Sequence, residues 1–155
     1  MMHKQTSETN KNAVANSMIR KILEYTPIPI AVSNNNGEII FRNDRFNTIF
    51  GYTDTDTLTK AEWGKKAYPD AHCREKTLKQ WDEYVLRAAQ TGSDIEPDVY
   101  HITCKDAVVR DFIISGVMLD DYELTTFVDI TDRTKAENAL KESEKKIQLF
   151  VQYHA

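Results

Sequence analysis

Between Phe127 and Arg133 an apolar strand runs into a charged helix with only an Asp-x-Thr step between them: Phe127-Val128-Asp129-Ile130-Thr131-Asp132-Arg133. A strand joined to a helix without a flexible spacer passes strain in its sheet directly to whatever follows. The join therefore ties the fold to the chain beyond it. Upstream, Asn36-Gly37 separates two apolar runs, and Asn43-Asp44-Arg45-Phe46 through Phe50-Gly51-Tyr52 reads as strand end, cap, short helix and glycine stop.

The rest of the chain supplies elements around these landmarks. Ala15, Met18, Ile19, Ile22 and Leu23 share one helical face that ends before Pro27. Pro29 to Ser33 and Glu38 to Arg42 read as two strands. Thr53 to Ala67 reads as short helical turns. Pro69 to Thr91 reads as one amphipathic helix with Asp70 as its cap, Gly92 past its end, and Leu78, Trp81, Val85 and Ala88 as its buried stripe. Val99 to Cys104, Val108 to Leu119 and Glu123 to Ile130 supply three more strands. Two strands, helices, then three strands is an α+β order.

Over residues 25–133 these landmarks together resemble the PAS sensory domain. Gly37-Glu38-Ile39-Ile40-Phe41-Arg42-Asn43 is similar to its second strand with the terminal Asn, and Phe50-Gly51-Tyr52 to the end of its first core helix. Lys105-Asp106-Ala107 falls where the family usually has Lys-Asp-Gly in a hairpin, and Asp129-Ile130-Thr131 is similar to its exit motif. Tyr68-Pro69-Asp70 with Trp81 resembles a version found in multi-domain bacterial signalling proteins. Ala107 departs from the pattern, because a two-residue turn prefers Gly where φ is positive, so a longer turn or a bulge is expected. The resemblance implies a five-stranded antiparallel sheet with helices on one face, flanked by amphipathic N- and C-terminal helices. The expected division is a disordered or non-native tail over 1–12, a flanking helix over 13–25, the PAS domain over 26–131 and an exit helix over 132–155.

A sheet covered by helices on one face encloses a cavity, and strand alternation selects its lining. In the fourth strand Phe112, Ile114, Gly116 and Met118 are expected to face inward, and in the fifth Thr125 and Phe127. Phe41, Trp63 and Trp81 complete the expected ligand-binding set. Gly116 either leaves room beside the cavity or marks a bulge. Asn43 is expected to cap the helix that follows it. Asp129 is expected to accept from Thr131 and, as the resemblance implies, to pair with Arg133, which would make these three the signal-transmission residues. The opposite face also carries apolar residues, to be covered by the N-terminal helix or a partner subunit.

Several chemistries lack their residues. The flavin-adduct motif of LOV domains, Asn-Cys-Arg-Phe-Leu-Gln, is not matched by Ala71-His72-Cys73-Arg74-Glu75-Lys76, and no histidine lies in Arg74 to Gln90, where haem-binding relatives ligate iron. Haem and covalent flavin are therefore not expected, and the ligand stays unknown. A flavin-binding redox or light sensor is the alternative, since Trp63 or Trp81 would stack on an isoalloxazine ring. A small cavity isomerase or hydrolase is the second alternative, with only Asp111 or His101 as candidate groups. No Ser/His/Asp order, His-Glu-x-x-His motif or phosphate loop appears, so no catalytic or metal residue is named.

The net charge of −4 has Lys/Arg interspersed with Asp/Glu, which argues against nucleic acid as a partner. No apolar run nears the ~20 residues that span a bilayer, nor does a signal peptide appear, so a cytoplasmic location without membrane contact is expected. Cys73 and Cys104 are too few for a disulfide scaffold. Ala136, Leu140, Ser143, Ile147 and Phe150 alternate steps of four and three, a heptad seam that predicts a homodimer through the flanking helices. Residues 147–155 align with 19–27, which suggests the start of a second PAS unit. The expectation is a sensory and dimerisation module of a two-component or histidine-kinase-type bacterial protein, with no activity of its own, relaying through Asp129-Ile130-Thr131 to a kinase or cyclase output domain.

Overall fold

A computed structural model describes residues 2–53, 55–56 and 59–154. Helix α1 (Met2–Tyr25) includes the stretch expected to be a disordered or non-native tail. The helix does not begin at residue 13 because no glycine or proline interrupts the chain before Pro27, and Lys4, Gln5, Glu8 and Lys11 are ready helix formers. Pro27 disfavours helical geometry at Thr26 and ends the run.

Strands β1 (Ile30–Asn34) and β2 (Ile39–Arg42) pair antiparallel across a turn at Gly37, whose φ of 78° suits a residue without Cβ. Helix α2 (Asp44–Phe50) starts at Asn43 and stops at Gly51, φ 76°. Of the expected turns over Thr53 to Ala67, helix α3 (Lys60–Ala67) is present, opened by a capping box between Thr59 and Glu62; Asp54, Thr57 and Leu58 lie outside the described residues. Helix α4 (Ala71–Thr91) has Asp70 as its cap, accepting from Cys73 N at 2.7 Å, and Gly92 as its left-handed stop. Trp81 and Ala88 of its predicted stripe are buried, and Leu78 and Val85 pack against the core.

Strands β3 (Ile95–Thr103), β4 (Val109–Leu119) and β5 (Tyr122–Asp129) complete an antiparallel sheet of order β2-β1-β5-β4-β3. β3 starts four residues before its predicted start at Val99. Pro97 is tolerated there because β3 is an edge strand and its register shifts between Ile95 and Asp98. The β3–β4 hairpin is the longer turn that Ala107 requires: Ala107 N donates to Cys104 O, and Ala107 holds a φ of 65°. Helix α5 (Thr131–His154) leaves the end of β5 at once.

The sheet's inner face, with α2 to α4, holds the core. Phe46, Phe50 and Phe112 are fully buried, each worth about 2–3 kcal/mol, and Trp63 and Phe127 join them in edge-on ring contacts of 5–6 Å. The outer face is different. Val99, Val109 and Val128 stay exposed, so α1 does not cover them, and no residue of α5 is buried.

Candidate functional site

A cavity of about 70 Å³ lies between the inner face of the sheet and helices α3 and α4. Of the residues predicted to line it, Trp63, Trp81, Ile114, Thr125 and Phe127 do, joined by Ala31, Ser33, Ile39, Phe46, Lys60, Tyr68, Thr77, Leu78, Tyr100 and Glu123.

Four predicted lining residues do not reach it. Phe41 faces the other way because β2 carries one extra residue: Ser33 pairs with Ile39 but Val32 pairs with Phe41, so Ile40 is the bulge and every side chain after it changes face. Phe112 keeps the inward phase but is sealed among Phe50 and Phe127 rather than on the cavity. Met118 packs against the core near the end of α4. Gly116 leaves space for a backbone instead of a ligand, since a Cβ there would stand 2.2 Å from the carbonyl oxygen of Leu124.

The cavity's polar group is one that strand reading passed over. Glu123 sits in the same phase as Thr125 and Phe127, two residues earlier, and that spacing would have found it. Its carboxylate is buried and held from three sides: Oε2 accepts from Lys60 Nζ at 2.7 Å, and Oε1 from Trp81 Nε1 at 3.1 Å and Thr125 Oγ1 at 3.2 Å. These bonds join α3, α4 and β5 across the cavity. Two other lining residues, Trp63 and Tyr100, each hold a buried donor, Nε1 and the hydroxyl, without a partner among the described residues. Burial pushes the Tyr68 and Tyr100 hydroxyls well above the usual phenol range, so both stay protonated.

Asn43 does more than cap α2. Its Oδ1 accepts from Phe46 N and Ile30 N, and its Nδ2 donates to Leu23 O and Ile28 O. An amide has two acceptor sites and two donors, and all four are used. Asp44 N also donates to Glu24 Oε1, so the end of α1 is fastened to the start of α2.

The outgoing junction is built from Asp129, Thr131 and Asp111. Asp129 Oδ1 accepts from Thr131 N at 2.9 Å and Thr131 Oγ1 at 2.5 Å. The same hydroxyl accepts from Asp111 N at 3.0 Å, and Ile130 N donates to Asp111 O at 2.8 Å. Asp129 thus pairs with Thr131 as predicted but not with Arg133, which bonds Glu137 Oε1 at 3.0 Å. Helix α5 starts at Thr131, and on a helix the residue four positions on is the nearer partner.

Cys73 is exposed on the first turn of α4, and His101 sits on the outer side of the sheet against Asp111 at 2.5 Å. None of these lines the cavity, nor does His72. No described helix is long and apolar enough to cross a membrane.

A PAS-domain family model matches residues 17–84. No curated protein matches this sequence. Among solved structures, a PAS domain from Colwellia psychrerythraea superposes with a TM-score of 0.61 at 17% identity, over 76% of this chain and 98% of that one. A domain of a sensory box sensor histidine kinase/response regulator from Geobacter sulfurreducens gives 0.56 at 16%, over 74% and 94%. The LOV protein of Rhodobacter sphaeroides gives 0.53 at 14%, over 72% of this chain and 65% of its own, so this chain spans less than two thirds of that protein. At such identities the structural likeness speaks for the fold. With the five-stranded antiparallel sheet and its covering helices, the chain has the PAS fold, and residues 17–84 match the PAS-domain family model.

Proposed function

We propose that this PAS domain is a cytoplasmic sensory and dimerisation module that takes a small ligand in its cavity and relays the change to a downstream output domain of kinase or cyclase type. One observation carries the reading: the strands that wall the cavity are those that hold the exit helix. β5 brings Thr125 and Phe127 to the cavity and Asp129 to the junction; β4 brings Ile114 to the cavity and Asp111 to the junction. A ligand that shifts either strand moves the first turn of α5. The sensor-kinase relative makes a kinase output reasonable. Dimerisation would use the exposed apolar stripes of α1 (Val14, Met18, Ile22) and α5 (Leu140, Ile147, Phe150).

The LOV likeness raises flavin as an occupant, and the residues present do not fit an adduct-forming flavin. Cys73 points to solvent, and a cavity of about 70 Å³ is far below the roughly 300 Å³ at which pockets begin to take drug-sized ligands. An enzymatic reading gains a buried carboxylate in Glu123, but its bonds to Lys60, Trp81 and Thr125 tie three elements together, which favours a structural role over that of a base.

The test fuses residues 1–155 to a dimer-dependent reporter. Asp129→Ala and Thr131→Val are expected to abolish or lock ligand-dependent output with little change in thermal unfolding, while Arg133→Ala signals normally. Normal signalling by the first two would show that the change leaves the domain elsewhere.

A further inference from the structure

Donors and acceptors on the cavity wall are not in balance. Glu123 is the lining carboxylate, and both its oxygens are engaged, by Lys60, Trp81 and Thr125, in an ion pair that is neutral as a whole. Trp63 Nε1 and the Tyr100 hydroxyl are buried donors with no partner among the described residues. An indole N–H only donates, and the buried Tyr100 phenol, raised further by Asp98 and Tyr84, keeps its proton at neutral pH. Ser33, Thr77 and the hydroxyls of Tyr68 and Tyr100 can donate or accept, so the unpartnered Trp63 N–H, which only donates, is what discriminates between ligands, with Tyr100 free to add a second donor. The wall therefore asks for an acceptor.

Charge and size narrow the choice. A carboxylate would bring an unbalanced charge to a wall whose own ion pair, Lys60 with Glu123, is already neutral. An ammonium would compete with Lys60 for oxygens already bonded, and either ion would lose its hydration against an apolar wall. At about 70 Å³ the cavity is about half the ~150 Å³ that holds benzene.

Resting on the reading of this cavity as the sensory site, we propose that its ligand is a small uncharged molecule presenting an oxygen acceptor, of the class of short ketones, aldehydes and esters. Trp63 and Tyr100 are the residues that select it, by donating to that oxygen.

The indole region of a proton–nitrogen NMR spectrum reports Trp63 and Trp81 separately, with Trp63→Phe assigning the peaks. The full chain is titrated with butanone, butyrate and butylammonium, and with xenon as a probe that needs only an apolar void. Butanone is expected to shift the Trp63 indole resonance saturably, with butyrate and butylammonium inert at equal concentration. Tyr100→Phe, which removes only a hydroxyl, should weaken butanone binding roughly three- to tenfold, the worth of one net hydrogen bond. Tighter binding of either ion overturns the class. A xenon response at the Ile39 and Ile114 methyls, with none to the three organic probes, overturns it and leaves the cavity as a sensory site; silence to xenon as well overturns both.

Discussion

The two helices that flank the sheet are attached in opposite ways. α1 is fastened through Asn43, a fully buried amide whose four hydrogen-bonding positions are all occupied. α5 is fastened through Asp129, an exposed side chain that holds one neighbour, Thr131, itself resting on a backbone N–H of β4. A buried, saturated junction has no low-energy alternative, since every broken bond orphans a group away from water. An exposed one exchanges its bonds for water at small cost. On the proposed reading, the incoming junction is the fixed support and the outgoing one the element that switches.

The largest expected effect is at the support. Asn43→Ala orphans Ile30 N, Leu23 O and Ile28 O together, leaves Phe46 N only the backbone carbonyl of residue 43, and should cost about 3 kcal/mol in chemical denaturation. Asn43→Asp sharpens the point, because it keeps both acceptor roles and loses both donors. It should loosen α1, seen as faster amide exchange in its last turn, while α2 stays capped. A loss below about 1 kcal/mol for Asn43→Ala would erase the contrast.

At the other junction, Asp129→Ala should lower stability by about 1 kcal/mol, because solvent replaces the lost acceptor, yet should raise amide exchange across the first turn of α5. Equal stability losses at Asn43 and Asp129 would break the comparison from the other side.

Between these junctions the strand phases were readable in the sequence and the cross-links were not. Ile114, Thr125 and Phe127 follow from alternation alone. Glu123 obeyed the same alternation, but a charged residue beside the Asp120-Asp121 turn reads as solvent-facing until Lys60 is seen to reach it from 63 positions away. Phe41 was misplaced by one bulged residue, Ile40, which leaves no mark in composition. Asn43 was legible as a cap because capping is local, whereas its donors reach Leu23 and Ile28 only in the folded chain. Arg133 followed the family motif in the sequence and the helix in the structure.

A smaller effect concerns acid. The Lys105 ammonium, then the Thr53 N–H, holds the Asp56 carboxyl at about 2; Arg110, then the Val108 N–H, does the same for Asp106. Both folded values lie below the usual ~3.9, so their contribution is complete above pH 4 and is lost as pH falls towards 2. Melting temperature should drop over that window, and Lys105→Ala should lower the melting temperature slightly above pH 5 and shrink the further drop on acidification. An unchanged acid profile in Lys105→Ala would remove Asp56 from the account.

The smallest effect is expected at Arg133→Ala. Its pair with Glu137 is exposed on both sides, and removing it should change stability by less than roughly 0.5 kcal/mol and leave exchange at Thr131 untouched. A large change in exchange would return Arg133 to the junction.

The central claim is that the cavity and the exit helix are one mechanical unit. Residue-resolved amide exchange of Ile130, Thr131 and Thr134, measured with and without xenon in the cavity, tests it most directly: these three N–H groups donate to Asp111 O, Asp129 Oδ1 and Ile130 O. Filling the cavity should change exchange at all three in the wild type and leave the amide of Phe46, at the incoming junction, unchanged. Xenon bound at Ile114 with exchange at Ile130, Thr131 and Thr134 unaltered would contradict the claim.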